Sequence, residues 1–241
     1  FTKWYTIQPN HEYNNYFRLA TTTGQVARFS GEATSANHVY VLDSGLAVVG
    51  KLEDLAPGER IYSARFIGDR AYMVTFKKVD PLFVIDLRDP QKPDVLGKLK
   101  IPGYSDYLHP YDENHIIGIG KEAVEAEEGD FAWYQGVKIS LFDVTDVANP
   151  KEISKFNIGN RGTDSEALRD HKAFLFSRQR NLLVIPILLA EINEAKYPGG
   201  VQSNAYGDYT FEGAYVLELS LDKGFVLKGR ISHADEDALK K

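Results

Sequence analysis

The run FVIDLRDPQKP at residues 83–93 takes an apolar stretch into two aspartates and two prolines, and nearly the same text returns later. Residues 139–151 read ISLFDVTDVANPK, again an apolar run, Asp, two residues, a second Asp and a proline-ended turn. Weaker versions are VYVLDSG at 39–45 and AYVLELSLDKG at 214–224. Because a recurring unit dictates the architecture of the whole chain, this repeat has to be interpreted first.

The spacing of the repeat predicts the kind of fold. An acidic residue closes the apolar run at Asp43, Asp86, Asp143 and Glu218, at intervals of 43, 57 and 75 residues. A period of about 40 to 45 residues with several strands per unit is typical of β-propeller blades. The longer intervals then represent the same unit with insertions.

The unit with the fewest extra residues shows four strands. These are IYSARFIG (61–68), RAYMVTF (70–76), PLFVIDL (81–87) and DVLGKLKI (94–101), rich in β-branched and aromatic residues and separated by turn residues. The third strand is apolar on both faces because neighbouring blades cover a blade on either side. The Asp and Pro residues that follow favour a turn, so the repeated run is structural rather than catalytic.

The sequence therefore predicts an all-β chain, a β-propeller of four-stranded antiparallel blades. We expect blades at about 1–58, 59–102, 103–160 and 161–232, forming a single propeller domain or a propeller fragment. The charged segment HADEDALKK at 233–241 is interpreted as leading into a further blade, which predicts a larger propeller. The faces of the end blades would then be covered by the remainder of the parent polypeptide or by a second copy of the chain.

Composition excludes several classes of function. The net charge of −6 argues against nucleic-acid binding, which requires a basic surface. The absence of cysteine excludes disulfides, thiolate catalysis and zinc sites with cysteine ligands. No apolar run approaches the roughly 18 residues of a membrane-spanning helix.

Longer stretches resemble a known family. The text LAPGERIYSARFIGDRAYMVTF at 55–76, together with KISLFDVTDVANPKEISKF at 138–156 and SEALRDHKAFLFSRQRNLLVIPI at 165–187, resembles bacterial and archaeal secreted proteins that contain a C-terminal β-propeller domain. The resemblance covers most of residues 53–190. It implies an extracellular or cell-envelope location and a parent protein longer than this chain, and it supplies no catalytic residues.

The third unit carries an insertion of mixed character, EAVEAEEGDFAWYQG at 122–136. Its acidic residues are Glu122, Glu125, Glu127, Glu128 and Asp130, and its aromatic residues are Phe131, Trp133 and Tyr134. Carboxylate oxygens are ligands for Ca²⁺, and flat aromatic rings stack on sugars or peptides. The alternative is a solvated acidic loop anchored by its aromatic residues, so no cofactor is predicted and Ca²⁺ is kept as a hypothesis.

The fourth unit carries a longer insertion, EINEAKYPGGVQSNAYGDYTFEG at 191–213. Tyr206 and Tyr209, with Tyr197 and Phe211, lie among Gly, Asn and Ser residues, a composition typical of recognition loops. The alternative is that the tyrosines only pin a long loop to the blade. Both insertions fall between second and third strands, which places them on one face of the predicted propeller.

The connections between units hold the remaining polar residues. Those that could form a carboxylate–imidazole site are Asp106, His109, Asp164, Glu166, Asp170 and His171. The alternative is that they form hydrogen bonds that close one blade on the next.

Three functions fit these features. The first is a non-catalytic interaction domain that presents one loop-decorated face to a protein or polysaccharide. The second is an extracytoplasmic hydrolase or lyase in which the carboxylates and histidines act as general acid and base, with or without a divalent cation. The third is a structural spacer within a larger envelope protein.

Overall fold

The computed structural model describes residues 11–26, 33–76, 79–126 and 131–233, and within them the chain is built from four four-stranded antiparallel sheets. Sheet 1 contains β1 (His11–Tyr13), β2 (Tyr16–Thr23), β3 (Ala36–Leu42) and β4 (Val48–Leu55). Sheet 2 contains β5 (Arg60–Ile67), β6 (Arg70–Phe76), β7 (Val79–Asp86) and β8 (Asp94–Pro102). Sheet 3 contains β9 (Tyr104–Pro110), β10 (His115–Glu125), β11 (Ala132–Asp143) and β12 (Lys151–Ile158). Sheet 4 contains β13 (Leu175–Ser177), β14 (Leu182–Glu191), β15 (Asp208–Ser220) and β16 (Gly224–Ser232).

The predicted fold class is confirmed. Strands that follow one another in sequence are neighbours in each sheet, and the described residues contain no α-helix. The repeated apolar runs form the third strands β3, β7, β11 and β15. The sequence also predicts a first strand of the first blade near residues 3–8, and this segment, like residues 234–241, lies outside the described residues.

The repeated aspartates form turns, as their sequence pattern predicts. The Asp43 carboxylate accepts hydrogen bonds from the backbone N–H groups of Gly45 and Ala47, both at 2.9 Å. Asp86 and Asp89 each accept one from the residue two positions later, at 3.0 Å. The aspartates therefore satisfy backbone donors at the points where the chain reverses.

The first strand of sheet 4 is shorter than expected. The sequence predicts a strand over HKAFLF at 171–176, but β13 begins at Leu175 and residues His171–Ala173 form a 3₁₀ turn. The Asp170 side chain caps this turn by accepting the Lys172 N–H at 2.9 Å. Local capping thus overrides the strand propensity of the first residues.

The chain divides into two compact units. The first contains residues 1–104, 127–131 and 144–151, and its core lies between sheets 1 and 2. The fully buried members of that core include Val39, Val41, Met73 and Ile85.

The second unit contains residues 105–126, 132–143 and 152–241. Its core lies between sheets 3 and 4 and contains apolar side chains from their middle strands, including Ile119, Leu141, Ile185 and Leu217, all 0% exposed. This core fixes the positions of the insertions that leave β10 and β14.

A glycine and a bulge recur on the fourth strand in three sheets. In each of these sheets a valine lies two positions before the acidic residue that closes the third strand, and it pairs with a glycine of the fourth strand. The pairs are Val41–Gly50, Val84–Gly97 and Val216–Gly229. In each case the register shifts immediately after this pair. The extra residue bends the fourth strand at the same point in each of the three sheets.

Candidate functional site

The two insertions of the second unit meet at Arg161, which lies in the connection that follows β12. The guanidinium carbon of Arg161 is 4.8 Å from the ring centroid of Trp133 and 4.4 Å from that of Tyr206. These distances are within the range of cation–π contacts. We call Trp133, Tyr134, Arg161 and Tyr206 the arginine cluster.

Hydrogen bonds fix the same arrangement. Arg161 donates from Nη1 to the backbone carbonyl of Tyr134 at 2.9 Å and from Nη2 to the Tyr206 hydroxyl at 3.1 Å. The Gly207 N–H donates to the Arg161 carbonyl at 2.8 Å. The side chain and backbone of one residue therefore hold both insertions.

A second link joins the insertions directly. Gln135 Nε2 donates to the backbone carbonyl of Ser203 at 2.9 Å and to that of Trp133 at 3.2 Å. At the edge of the cluster Tyr206 is 64% exposed, and Tyr209, on β15 opposite Ala190, is 51% exposed. The exposed Tyr206 ring beside a fixed guanidinium forms a surface able to stack on a ligand.

Of the four aromatic residues predicted for this surface, the structure brings Trp133, Tyr134 and Tyr206 together. Arg161 was not predicted, although it stands in the polar connection GNRGTDSEALRDHK at 159–172 that the sequence pattern points to. The acidic residues and histidines of that segment give the stronger sequence signal for a site. An arginine in the connection between two aromatic-rich insertions is a signal that could have pointed to it, because guanidinium groups stack on aromatic rings.

The predicted acidic residue Asp164 lies in an ion-pair network. Its carboxylate contacts Arg169 at 2.8 Å and Lys121 at 3.6 Å, and Arg169 also contacts Glu166 at 3.2 Å. Partial burial of the Asp164 carboxyl opposes its ionisation, but the hydrogen bond from Arg169 and the charge of Lys121 outweigh it. The pKa of Asp164 therefore lies below its ordinary value.

The backbone of Asp164 is held as well. Its N–H and carbonyl exchange hydrogen bonds with Leu188 of β14, both at 2.9 Å. Ser165, the next residue, donates its hydroxyl to the Pro186 carbonyl at 2.6 Å. These contacts attach the connection to β14.

The predicted histidines lie in an aromatic stack. His109 Nδ1 is 2.9 Å from the Tyr107 hydroxyl. The His171 ring stacks on Tyr107 with 5.7 Å between centroids, and Phe174 meets the edges of both Tyr107 and His109. The imidazoles thus help to pack sheet 3 against sheet 4.

The six residues predicted for a carboxylate–imidazole site are therefore divided among different surroundings. Asp164 and Glu166 share Arg169, Asp170 caps a 3₁₀ turn, and His109 and His171 pack on Tyr107. Asp106 is a partly exposed residue of β9.

A shallow cleft of about 220 Å³ lies beside the ion-pair network. Its polar lining includes Asp164, Glu166, Arg169, Glu212 and His233, and its apolar lining includes Leu188. Carboxylates from the connection after β12 and from β15, with one guanidinium, line this space, so it could accept a small polar group.

Within residues 11–26, 33–76, 79–126 and 131–233, no group of three or more His, Asp or Glu side chains is placed to hold a metal ion. Glu127, Glu128 and Asp130 of the acidic insertion lie outside those ranges. Glu122 contacts Lys155 at 3.6 Å and Asn157 at 3.3 Å. The Ca²⁺ hypothesis stays a prediction.

A search of the described residues for a helix with the length and apolar character of a membrane span found none.

Comparison with known proteins identifies a family. A family model described as a β-propeller domain matches residues 11–241. An uncharacterised protein of Methanocaldococcus jannaschii is 50% identical over 175 residues, which cover 73% of this chain and 26% of that protein. An uncharacterised protein of Archaeoglobus fulgidus is 42% identical over 175 residues, which cover 73% of this chain and 25% of that protein.

The chain thus spans about a quarter of the length of the curated relatives it matches. Among solved structures, an apocarotenoid oxygenase of Synechocystis is matched over 91% of this chain and 47% of its own, with a TM-score of 0.42 and 10% identity.

Proposed function

Because this chain belongs to the β-propeller domain family, we propose that it is a non-catalytic interaction domain that presents one loop-decorated face to a protein or a polysaccharide. The arginine cluster is the observation that carries this proposal. Two insertions separated by more than 50 residues of sequence are joined there and display Tyr206 at 64% exposure. Tyrosine offers a large contact area with few rotatable bonds, which suits recognition.

The contacts of the other predicted residues support binding over catalysis. A general base has to be free to accept a proton from a substrate. Asp164 is instead ion-paired with Arg169 and Lys121, and Asp170 accepts a backbone N–H. In the hydrolase or lyase alternative, Asp164 would have to give up its ion pairs with Arg169 and Lys121 before it could act as a base.

The proposal extends to the setting of the domain. The resemblance to secreted proteins supports a location outside the cytoplasm, in the extracellular space or the cell envelope. The four sheets are proposed to be blades of one propeller domain that belongs to a longer polypeptide. Its ligand would approach the surface around Trp133, Tyr206 and Tyr209.

The test uses Trp133 as its reporter. The chain has two tryptophans, so Trp4→Phe leaves Trp133 as the only one. This variant is titrated with soluble neutral polysaccharides, with uronic-acid polysaccharides and with a displayed peptide library. A saturable change in tryptophan emission is expected with one of these probes. Tyr206→Ala should weaken that binding about tenfold, which corresponds to about 1.4 kcal/mol.

Tyr13→Ala is the matched control, because Tyr13 is an exposed tyrosine of the first unit. It should leave the affinity unchanged. Binding that is equally strong in Tyr206→Ala and in the parent would remove the arginine cluster from the binding surface. Release of new reducing ends from a bound polysaccharide would favour the hydrolase or lyase alternative.

A further inference from the structure

The recurring glycines of the fourth strands allow another segment to approach closely. A Cβ atom built on Gly50 of β4 would lie 2.0 Å from the carbonyl oxygen of Pro90. A Cβ on Gly97 of β8 would lie 2.2 Å from the carbonyl oxygen of Val147. No side chain fits at either position, so glycine is required by the contact itself and not only by the bulge.

The approaching segments are of one kind. Pro90 lies in the turn between β7 and β8, and Val147 lies in the turn between β11 and β12. Each of these turns joins a third strand to a fourth strand. The fourth strand of one sheet therefore receives the turn that follows the third strand of the next sheet in sequence.

Sheet 3 repeats the contact with a different residue pair. Gly224 ends the turn between β15 and β16, and a Cβ atom there would lie 2.2 Å from the hydroxyl oxygen of Ser154 on β12. Here the receiving strand carries serine and the glycine is on the turn. The contact is thus made on β4, β8 and β12.

Gly229 of β16 occupies the corresponding position in sheet 4. It pairs with Val216, two positions before Glu218, and the bulge follows immediately. Among the residues that the structure describes, no heavy atom outside its immediate chain neighbours lies within 4 Å of a Cβ built there. Within residues 11–26, 33–76, 79–126 and 131–233, this fourth receiving position is therefore open.

The face of sheet 4 that surrounds Gly229 is apolar and uncovered. Cross-strand pairing aligns Leu175, Val184, Val216 and Gly229 in one row and Pro186, Ala214 and Ile231 in the next. Leu175 is 52% exposed and Ile231 is 56% exposed, whereas the opposite face of the same strands is packed in the core.

We infer that Gly229 and this apolar face dock the turn between the third and fourth strands of a further β-sheet of the same polypeptide. Two contacts of the same type, at Gly50 and Gly97, and a related one at Ser154 define what fits the position. The curated relatives, of which this chain spans about a quarter, contain enough additional chain to include such a sheet. The inference is independent of the arginine cluster and of any ligand.

The absence of cysteine provides a clean test. Val216→Cys introduces one thiol of about the same size on the uncovered face, and Lys98→Cys introduces one on exposed β8 as a control. Each variant is prepared both as the 241-residue chain and as the protein encoded by the whole reading frame. The rate of thiol labelling is measured in native buffer. Val184→Cys is a second reporter on the same row in case Val216→Cys does not fold.

We expect labelling of Val216→Cys to be at least about 100-fold slower in the whole protein than in the 241-residue chain, while Lys98→Cys is labelled equally in both. Equal labelling of Val216→Cys in both forms would overturn the inference. Protection that is already present in the 241-residue chain and that increases with its concentration would also overturn it, because the occupant would then be a second copy.

Discussion

Sheets 2 and 4 share their strand order and the pattern of their third strands, yet only sheet 2 is buried on both faces. On β7, the consecutive residues Leu82, Phe83, Val84 and Ile85 are all 7% exposed or less. On β15, Tyr215, Leu217 and Leu219 are 2% exposed or less, but the residues between them are partly exposed.

The sequences of the two strands already differ in the same way. β7 has large apolar residues at consecutive positions, whereas β15 alternates large apolar residues with Ala214, Val216, Glu218 and Ser220. A strand that is covered on both sides can be apolar throughout, and a strand with one solvated face alternates. The uncovered face of sheet 4 has a composition between these two cases, because its centre is apolar and a charged group borders it. Such a composition suits a face that is covered in a larger assembly.

The largest difference in stability should appear when two neighbouring residues of β15, one on each face of sheet 4, are replaced. Leu217→Ala should lower the free energy of unfolding by about 3 kcal/mol, because it opens a cavity in the core between sheets 3 and 4. Val216→Ala should cost about 1 kcal/mol or less, since its side chain is already partly solvated. Urea denaturation of the 241-residue chain measures both. Equal losses would show that the two faces of sheet 4 are equally buried in solution.

The next largest difference in stability is expected between two glycines of the fourth strands, one in contact with a neighbouring turn and one without such a contact. Gly97→Ala should destabilise the chain by about 2 kcal/mol, because the new methyl group would meet the carbonyl of Val147. Gly229→Ala should be neutral or stabilise the chain by about 0.5 kcal/mol, because the methyl group enters open space and the unfolded chain loses freedom. Thermal unfolding of the two variants compares them directly, and a matching loss for both would show that the position on β16 is filled.

A smaller effect, dependent on pH, is expected where the turn between β9 and β10 of sheet 3 meets Arg178 of sheet 4. Asp112 contacts His115 at 2.8 Å and Arg178 at 3.2 Å, and its side chain is 12% exposed. Burial of the Asp112 carboxyl acts against ionisation, but hydrogen bonds from the Asn114 N–H and His115, with the charge of Arg178, outweigh it. The pKa of Asp112 is therefore lowered in the folded chain.

A lowered pKa contributes stability that is present above the unfolded value, about 3.9, and is lost as the pH falls through the folded value. Asp112→Asn should therefore flatten the loss of stability between neutral and acidic pH. Urea midpoints measured across that range test this expectation. If Asp112→Asn loses as much stability at acidic pH as the parent chain does, other carboxylates account for the whole loss.

The smallest effect belongs to the ion pairs of the uncovered face. Glu218 contacts Lys228 at 3.1 Å and Lys223 at 3.2 Å, and both lysine side chains are more than half exposed. The hydrogen bonds from Lys228 and Lys223 lower the pKa of Glu218, but solvent and salt screen such exposed pairs. Glu218→Gln should change the unfolding midpoint slightly at low ionic strength and not at all in molar salt. A change that persists in molar salt would indicate that this face is shielded from solvent.

The sequence predicts most of the fold because the same physical pattern is repeated four times. Asp43, Asp86 and Asp146 mark the turns through bonds to the backbone two positions later, which depend on nearby residues only. The sequence pattern predicts that the first strand of sheet 4 begins at residue 171, whereas β13 begins at Leu175. The reason is that Asp170 caps a turn at a point where the residues have strand propensity. Local patterns predict local structure, and one competing cap is enough to shift a boundary.

The site was harder to predict because its contacts join distant parts of the chain. The insertions at 122–136 and 191–213 are visible from the lengthened repeat, and their aromatic residues suggest a surface. That Arg161 holds Trp133 and Tyr206 together depends on the packing of sheets 3 and 4, and no spacing in the sequence encodes it. The role of Gly229 likewise becomes visible only when its register is compared with that of Gly50 and Gly97.

The bulged fourth strands also bear on aggregation. Each sheet ends on one side in β4, β8, β12 or β16, an edge whose backbone could recruit another strand. Three of these edges are bent by a bulge, and the four carry lysines at Lys51, Lys98, Lys100, Lys151, Lys155 and Lys228. Bulges and lysines both oppose the addition of strands at an edge. In concentrated solutions of the chain, the edges at β4, β8, β12 and β16 should therefore resist the growth of extended intermolecular sheets.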